Sequence, residues 1–167
     1  FTELYGMLET GFHTYTRLDD DPALVSGTCG VTQKSLGLRL IDENGDDVPE
    51  GSEGEIAAIG PSVHLGYAKN PSANAELFTK DGWFRTGDEG AVDSEGYLTL
   101  LGRLKEIINR SGEKISPQEI DEVLLSHPAV AEAVAFGVPN PTHGEEPSAA
   151  VVLRSTVTQA ELIRHCR

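Results

Sequence analysis

Basic residues are scarce in this chain: 167 residues hold 13 Lys and Arg against 27 Asp and Glu, a net charge of −14. The shortage excludes general binding to nucleic acid or to an anionic membrane, because neutralising phosphates needs a basic surface. Any phosphorylated ligand has to be met by a few local groups. Cysteine is nearly absent. Cys29 and Cys166 lie far apart, and His13, His64, His127, His143 and His165 are scattered, so neither a disulfide framework nor a zinc site is expected. No apolar run approaches the roughly 20 residues that cross a bilayer, which leaves no transmembrane segment. The opening FTELYGMLETG has neither an initiator methionine nor the charged-then-apolar pattern of a signal peptide, and it reads as the start of a fragment. Internal repeats and low-complexity segments are missing as well.

What is present is globular: 38% hydrophobic and 24% charged residues, enough chain for one domain or the pieces of two. The acidity is uneven. Residues 1–101 carry 6 Lys or Arg and 18 Asp or Glu, while residues 102–167 carry 7 and 9, so the net charges are −12 and −2. Residues 27–101 read as short strands and turns. LGLRLID runs into ENGDD, where Asn44-Gly45 signals a hairpin because both residues tolerate positive φ. GEIAAIG is a second strand, AVDSEGYLTLLG a hairpin turning at Gly96, and PSANAELF a short helix with a Ser or Asn cap. The spacing predicts a small β-barrel or sandwich.

After Gly102 the pattern changes. IINRSGEKIS predicts a tight hairpin, and Ser116-Pro117-Gln118-Glu119 supplies an N-cap, a first-turn proline and a capping-box glutamate. The helix that follows should run through IDEVLLSH, with Ile120, Val123 and Leu124 on one face, and stop before Pro128. VAEAVAFGV and SAAVVLR read as strands and TQAELIRHC as a capped helix, so the class is α+β, with a boundary at Gly102 to Lys105.

Four stretches carry the chemistry: YGMLE (Tyr5 to Glu9), GEIAAIGPSVHLGY (Gly54 to Tyr67), FRTGD (Phe84 to Asp88) and GRLKEIINRSGEKISPQEID (Gly102 to Asp121). In this order they resemble the adenylate-forming acyl-CoA synthetase superfamily, and within it oxalate-CoA ligases first and coumarate-CoA ligases next. The resemblance implies that residues 1–101 are the barrel-like end of a large AMP-binding domain. Residues 102–104 would then be a linker to a hinge at Lys105, and residues 105–167 the first part of a small mobile domain. It implies an ATP-dependent acid-thiol ligase that uses Mg2+, in which a small carboxylic acid attacks the α-phosphorus of ATP and coenzyme A then displaces AMP. The family's phosphate loop and catalytic lysine are expected outside this stretch, so the fragment alone should be inactive. The compartment stays open, with an intracellular setting, cytoplasm or peroxisome, as the expectation.

By the same resemblance, Asp88 accepts hydrogen bonds from the two ribose hydroxyls, which suits one charged carboxylate, and Arg103 donates to the same ribose. Glu9 gives a hard oxygen to magnesium, Tyr5 lies against adenine, and Gly112 lets the pantetheine arm of coenzyme A approach. The first four have plainer alternatives, namely a β-turn aspartate, a surface arginine, a solvated loop glutamate and a core tyrosine; Arg110 and Lys114 would face phosphorylated ligands or, more plainly, balance acidic neighbours in a basic hairpin. One position departs from the family. Leu8 stands where a threonine is usual, which keeps open a nucleotide-binding paralogue without catalysis, beside an adenylation domain of a peptide-synthetase assembly line.

Overall fold

The computed structural model describes residues 1–166 and forms two compact units, Phe1–Leu101 and a second from Gly102 onward. In the first, β1 (Leu4–Met7), β2 (Gly11–Tyr15) and β3 (Val31–Thr32) make a three-stranded sheet in that order. Strands β4 (Gly37–Ile41), β5 (Gly54–Ile59), β6 (Phe84–Val92) and β7 (Leu98–Arg103) make a four-stranded one, also in chain order. The helix α1 (Pro22–Gly27) follows β2, and α2 (Pro71–Leu77) follows β5. Both begin on a proline, with Asp21 and Asn70 capping the amides of Ala23 and Ala73. Of these elements, α1, β1 and β2 were not anticipated, although Asp21-Pro22 is a helix-start signal.

The expectation of a barrel needs correcting. Closure requires the last strand to pair with the first, but β7 meets the β3 segment instead: Cys29 N–H donates to Leu98 O at 2.7 Å and Leu98 N–H to Gly30 O at 2.9 Å. Both sheets stay open. Central β5 is buried over five of its six residues, as a strand flanked on both sides must be. Tyr5, Ile56 and Leu98 form the core, with Cys29, Leu38, Leu40 and Val92 packed around them.

The Asn44-Gly45 turn also differs from expectation. Only Gly45 has positive φ, at 87°, so the turn lacks the two left-handed residues of a type I′ hairpin. The Asp42 carboxylate organises it by accepting from Asn44 N–H at 2.9 Å and Asp46 N–H at 3.0 Å. A single bridge, Ile41 to Asp47, follows, and β4 pairs with β5. Asp93 does the same between β6 and β7, accepting from Glu95 and Tyr97 amides, both at 2.9 Å.

In the second unit β8 (Ile108–Arg110), β9 (Glu113–Ile115), β10 (Val130–Asn140) and β11 (Gly144–Leu153) form an antiparallel sheet ordered β10-β11-β8-β9. Helices α3 (Pro117–Ser126) and α4 (Gln159–His165) supply its core, where Leu124, Val130 and Leu162 meet Ile120, Ala133, Val151 and Val157. The capping box expected at Ser116 and Glu119 does not form, because the Ser116 side chain makes no cap bond to α3. Pro117 at the first position has already removed one orphan amide there. The full box is in α4, where Thr158 and Glu161 cap each other.

Candidate active site

The strand pair β5–β6 departs from a regular ladder where chemistry is expected. Glu55 faces Glu89 and Ala57 faces Arg85, so β6 advances four residues while β5 advances two. Thr86, Gly87 and Asp88 fill this bulge, a device that re-aims side chains next to active sites. Gly87 sits at φ 74°, which a β-carbon would disfavour. The rest is held by hydrogen bonds. Thr86 Oγ1 donates to Ile56 O at 2.7 Å, and Asp88 N–H donates back to Thr86 Oγ1 at 3.1 Å.

Two acidic residues give the bulge its electrostatics. Glu55 is 7% exposed in a strand of otherwise apolar character, so its charge requires a partner. Arg85 provides one: its Nε and Nη2 donate to Glu55 Oε2 at 2.9 and 2.6 Å, while Gly87 N–H donates to Oε1 at 3.1 Å. Asp88 is 5% exposed, and the Tyr5 hydroxyl donates to its Oδ2 at 2.7 Å. The structure thus joins Tyr5 and Asp88, 83 residues apart. Tyr5 is itself buried, its ring among Ile56 and Leu98.

Glu9 lies in the turn between β1 and β2, half-buried, with Leu8 beside it fully exposed. The PSVHLGY loop grips this turn at three points. Ser62 Oγ donates to Thr10 O at 2.7 Å, His64 N–H to Glu9 O at 2.8 Å, and the Tyr67 hydroxyl to Glu9 Oε1 at 2.6 Å. That last bond, to a carboxylate, pushes the Tyr67 hydroxyl pKa up. The His64 ring stacks edge-on against Tyr67 and Phe84, centroids 5.1 and 5.0 Å away, and so fixes the loop. Glu55 and Tyr67 were missed as functional residues. Both lie inside the Gly54 to Tyr67 motif, and the lone charge in the GEIAAIG strand was a further signal for the first.

The remaining site residues lie in the second unit. Arg103 ends β7, and Lys105 sits exposed in the turn closed by Glu106 and Ile107 amides donating to Arg103 O at 2.9 and 3.1 Å. Gly112 tips the β8–β9 hairpin at φ 89°, and a β-carbon there would meet nothing within 4 Å. Its glycine serves the turn. Arg110 pairs with Glu146, Nε to Oε2 at 3.2 Å, so this cation balances an acidic neighbour.

The model of AMP-binding enzymes matches residues 1–68, and that of the AMP-binding enzyme C-terminal domain matches residues 119–167. Oxalate–CoA ligase of Saccharomyces cerevisiae is 47% identical over 165 residues, 96% of this chain and 30% of its own. The chain belongs to the AMP-binding enzymes. It spans about a third of the length of the curated relatives it matches. Triostin synthetase I of Streptomyces triostinicus is 41% identical over 97% of this AMP-binding chain and 32% of its own length. Among solved structures, o-succinylbenzoate CoA synthetase of Bacillus subtilis with its acyl-adenylate OSB-AMP superposes at TM-score 0.87 with 36% identity, over 99% of this chain and 34% of that one. The same enzyme with ATP and magnesium gives 0.86, at 35% identity and the same coverage. No helix among the described residues is long and apolar enough to cross a membrane.

Proposed function

We propose that the protein carrying this chain is an ATP-dependent ligase that activates a small carboxylic acid as its acyl-adenylate and passes it to coenzyme A. One observation carries the reading: a buried carboxylate, Asp88, is presented on a bulge and held by a tyrosine hydroxyl, in a chain 47% identical to an oxalate–CoA ligase. Asp88 would accept from the ribose hydroxyls, Tyr5 would set the carboxylate's orientation, and Arg103 would be a donor to the ribose. Phe1–Leu101 would be the end of the large domain, the unit from Gly102 the start of the mobile one, and Lys105 the hinge between two poses. Gly112 would tip the hairpin that meets the pantetheine arm.

Magnesium fits Glu9. Among the described residues no group of three or more His, Cys, Asp or Glu could cage a metal, which suits an ion held by one carboxylate together with phosphate oxygens and water. When bound, it would neutralise charge on the phosphates. Glu9 would hold it through a carboxylate oriented by Tyr67. Oxalate is the acid favoured by similarity, and other small acids are the natural comparison.

The test is Asp88→Ala in the full-length protein, followed by calorimetric ATP binding. A charged acceptor serving two hydroxyls is worth about 2 to 4 kcal/mol, or roughly 30- to 1000-fold in affinity. Unchanged ATP affinity with the fold intact would remove Asp88 from the site. The similarity to triostin synthetase I favours a second reading, in which the acyl group passes to a carrier protein. Offering both thiols to the preformed adenylate separates the two.

A further inference from the structure

The hairpin turn between β8 and β9 is built on an unusual residue. Ser111 has φ 55°, one of two non-glycine residues at positive φ among those described, and Gly112 follows at 89°. This is the type I′ geometry that asparagine or glycine usually supplies at its first position. A serine stays there only where its surroundings hold it. The holding group is His143, 32 residues away in the connection between β10 and β11. Ser111 N–H donates to His143 O at 2.7 Å, and Ser111 Oγ and His143 Nδ1 share a hydrogen bond of 2.9 Å that either ring tautomer can make.

His143 is itself fixed. Asn140 Oδ1 accepts from the amides of Thr142 and His143 at 2.9 and 3.1 Å, so the imidazole arises from a closed turn. Asn109 prolongs the clamp on the hairpin side. Its amide donates to Glu145 Oε2 at 2.7 Å, and its Oδ1 accepts from Gly112 N–H at 3.1 Å. Every backbone amide from Ser111 to Gly112 is therefore tied to a group outside the turn itself or to Asn109.

We propose that His143 is a positioning residue for the thioester-forming half of the reaction, acting through Ser111 to hold the Ser111-Gly112 tip in the shape that receives the pantetheine thiol. The proposal rests on the ligase reading above. Its sequence reason is plain: Ser111 brings no side-chain bulk of its own to a ligand, and only His143 turns its hydroxyl into a latch. Adenylate formation does not use the latch, so the two half reactions should respond differently.

The experiment uses the full-length protein with wild type, His143→Ala, His143→Asn, His143→Gln and Ser111→Gly, reading pyrophosphate exchange, thioester formation against coenzyme A, and amide exchange across residues 108–115. One modest hydrogen bond is at stake. His143→Ala should raise KM for coenzyme A about three- to tenfold and accelerate amide exchange at the tip by a similar factor, with pyrophosphate exchange unchanged. Asparagine carries a polar atom near the Nδ1 position and should rescue, whereas glutamine reaches toward the Nε2 position and should not. Ser111→Gly supplies the turn's geometry without the latch, so it should leave the KM for coenzyme A near the wild-type value and make His143→Ala nearly silent in the double variant. Thioester formation by wild type with an unchanged KM in His143→Ala would overturn this inference alone. So would equal losses in both half reactions. Absence of thioester formation in the wild type would overturn the ligase reading itself.

Discussion

Glu55→Gln tests the bulge that presents Asp88. The carboxylate takes two bonds from Arg85 on Oε2, at 2.9 and 2.6 Å, and one from Gly87 N–H on Oε1 at 3.1 Å. Glutamine keeps the shape but has one acceptor and one donor end. If its carbonyl stays on Arg85, its amide nitrogen faces the Gly87 N–H; if it flips, the nitrogen faces the guanidinium. Either way a part-buried donor loses its acceptor and the part-buried guanidinium its counterion. Breaking a buried pair costs about 3 to 5 kcal/mol. Arg85 is 27% exposed and Glu55 8% in their side chains, so water recovers part of this for the arginine. The expected loss of local stability is therefore about 2 to 3 kcal/mol. Amide exchange of peptides spanning residues 84–92 in the full-length protein reads that opening free energy, and ATP affinity should fall alongside it. Arg85→Met closes a double-mutant cycle, in which the coupling should exceed about 1 kcal/mol. A loss below about 0.5 kcal/mol, or no coupling, would refute the assignment of Glu55 as the bulge's anchor.

Three further outcomes are expected. Burial pushes the His13 pKa below 6.5, so the unfolded chain binds a proton that the folded one refuses. Stability should be unaffected at higher pH and fall as pH drops from about 6.5 toward the folded pKa; in His13→Gln, urea midpoints taken between pH 8 and 5 should lose this component. Leu8→Thr puts a hydroxyl at the exposed turn beside Glu9, and in a weakened ligase it should speed pyrophosphate exchange by one to two decades, about 1.5 to 3 kcal/mol. No gain over an inert wild type would favour the paralogue without catalysis. Lys105→Pro fixes φ near −65°, so pyrophosphate exchange should stay within about tenfold while thioester formation drops a hundredfold or more. Equal loss of both with an intact circular dichroism spectrum would remove Lys105 as the hinge, and Lys105→Ala, with its backbone free, should be mild in both.

The sequence by itself determined what depends on neighbours in the chain. The proline starts of α2 and α3, the RSG hairpin and the Asp93-to-Gly96 turn follow from local dihedral preferences and side chains a few residues apart. The family followed from ordered motifs. Local signals also misled: the Asp42 carboxylate took over the turn that Asn44-Gly45 announced, and the Ser116 side chain makes no cap bond to α3. Only the tertiary structure decided the pairs that make the candidate site. Tyr5 with Asp88, Glu55 with Arg85, Tyr67 with Glu9 and Ser111 with His143 are 83, 30, 58 and 32 residues apart. None has a sequence spacing that implies contact, because their meeting depends on sheet register, and at β5–β6 on a bulge that moves the register by two residues. A bulge of that kind shifts which side chains face one another without changing the hydrophobic pattern from which strands are read.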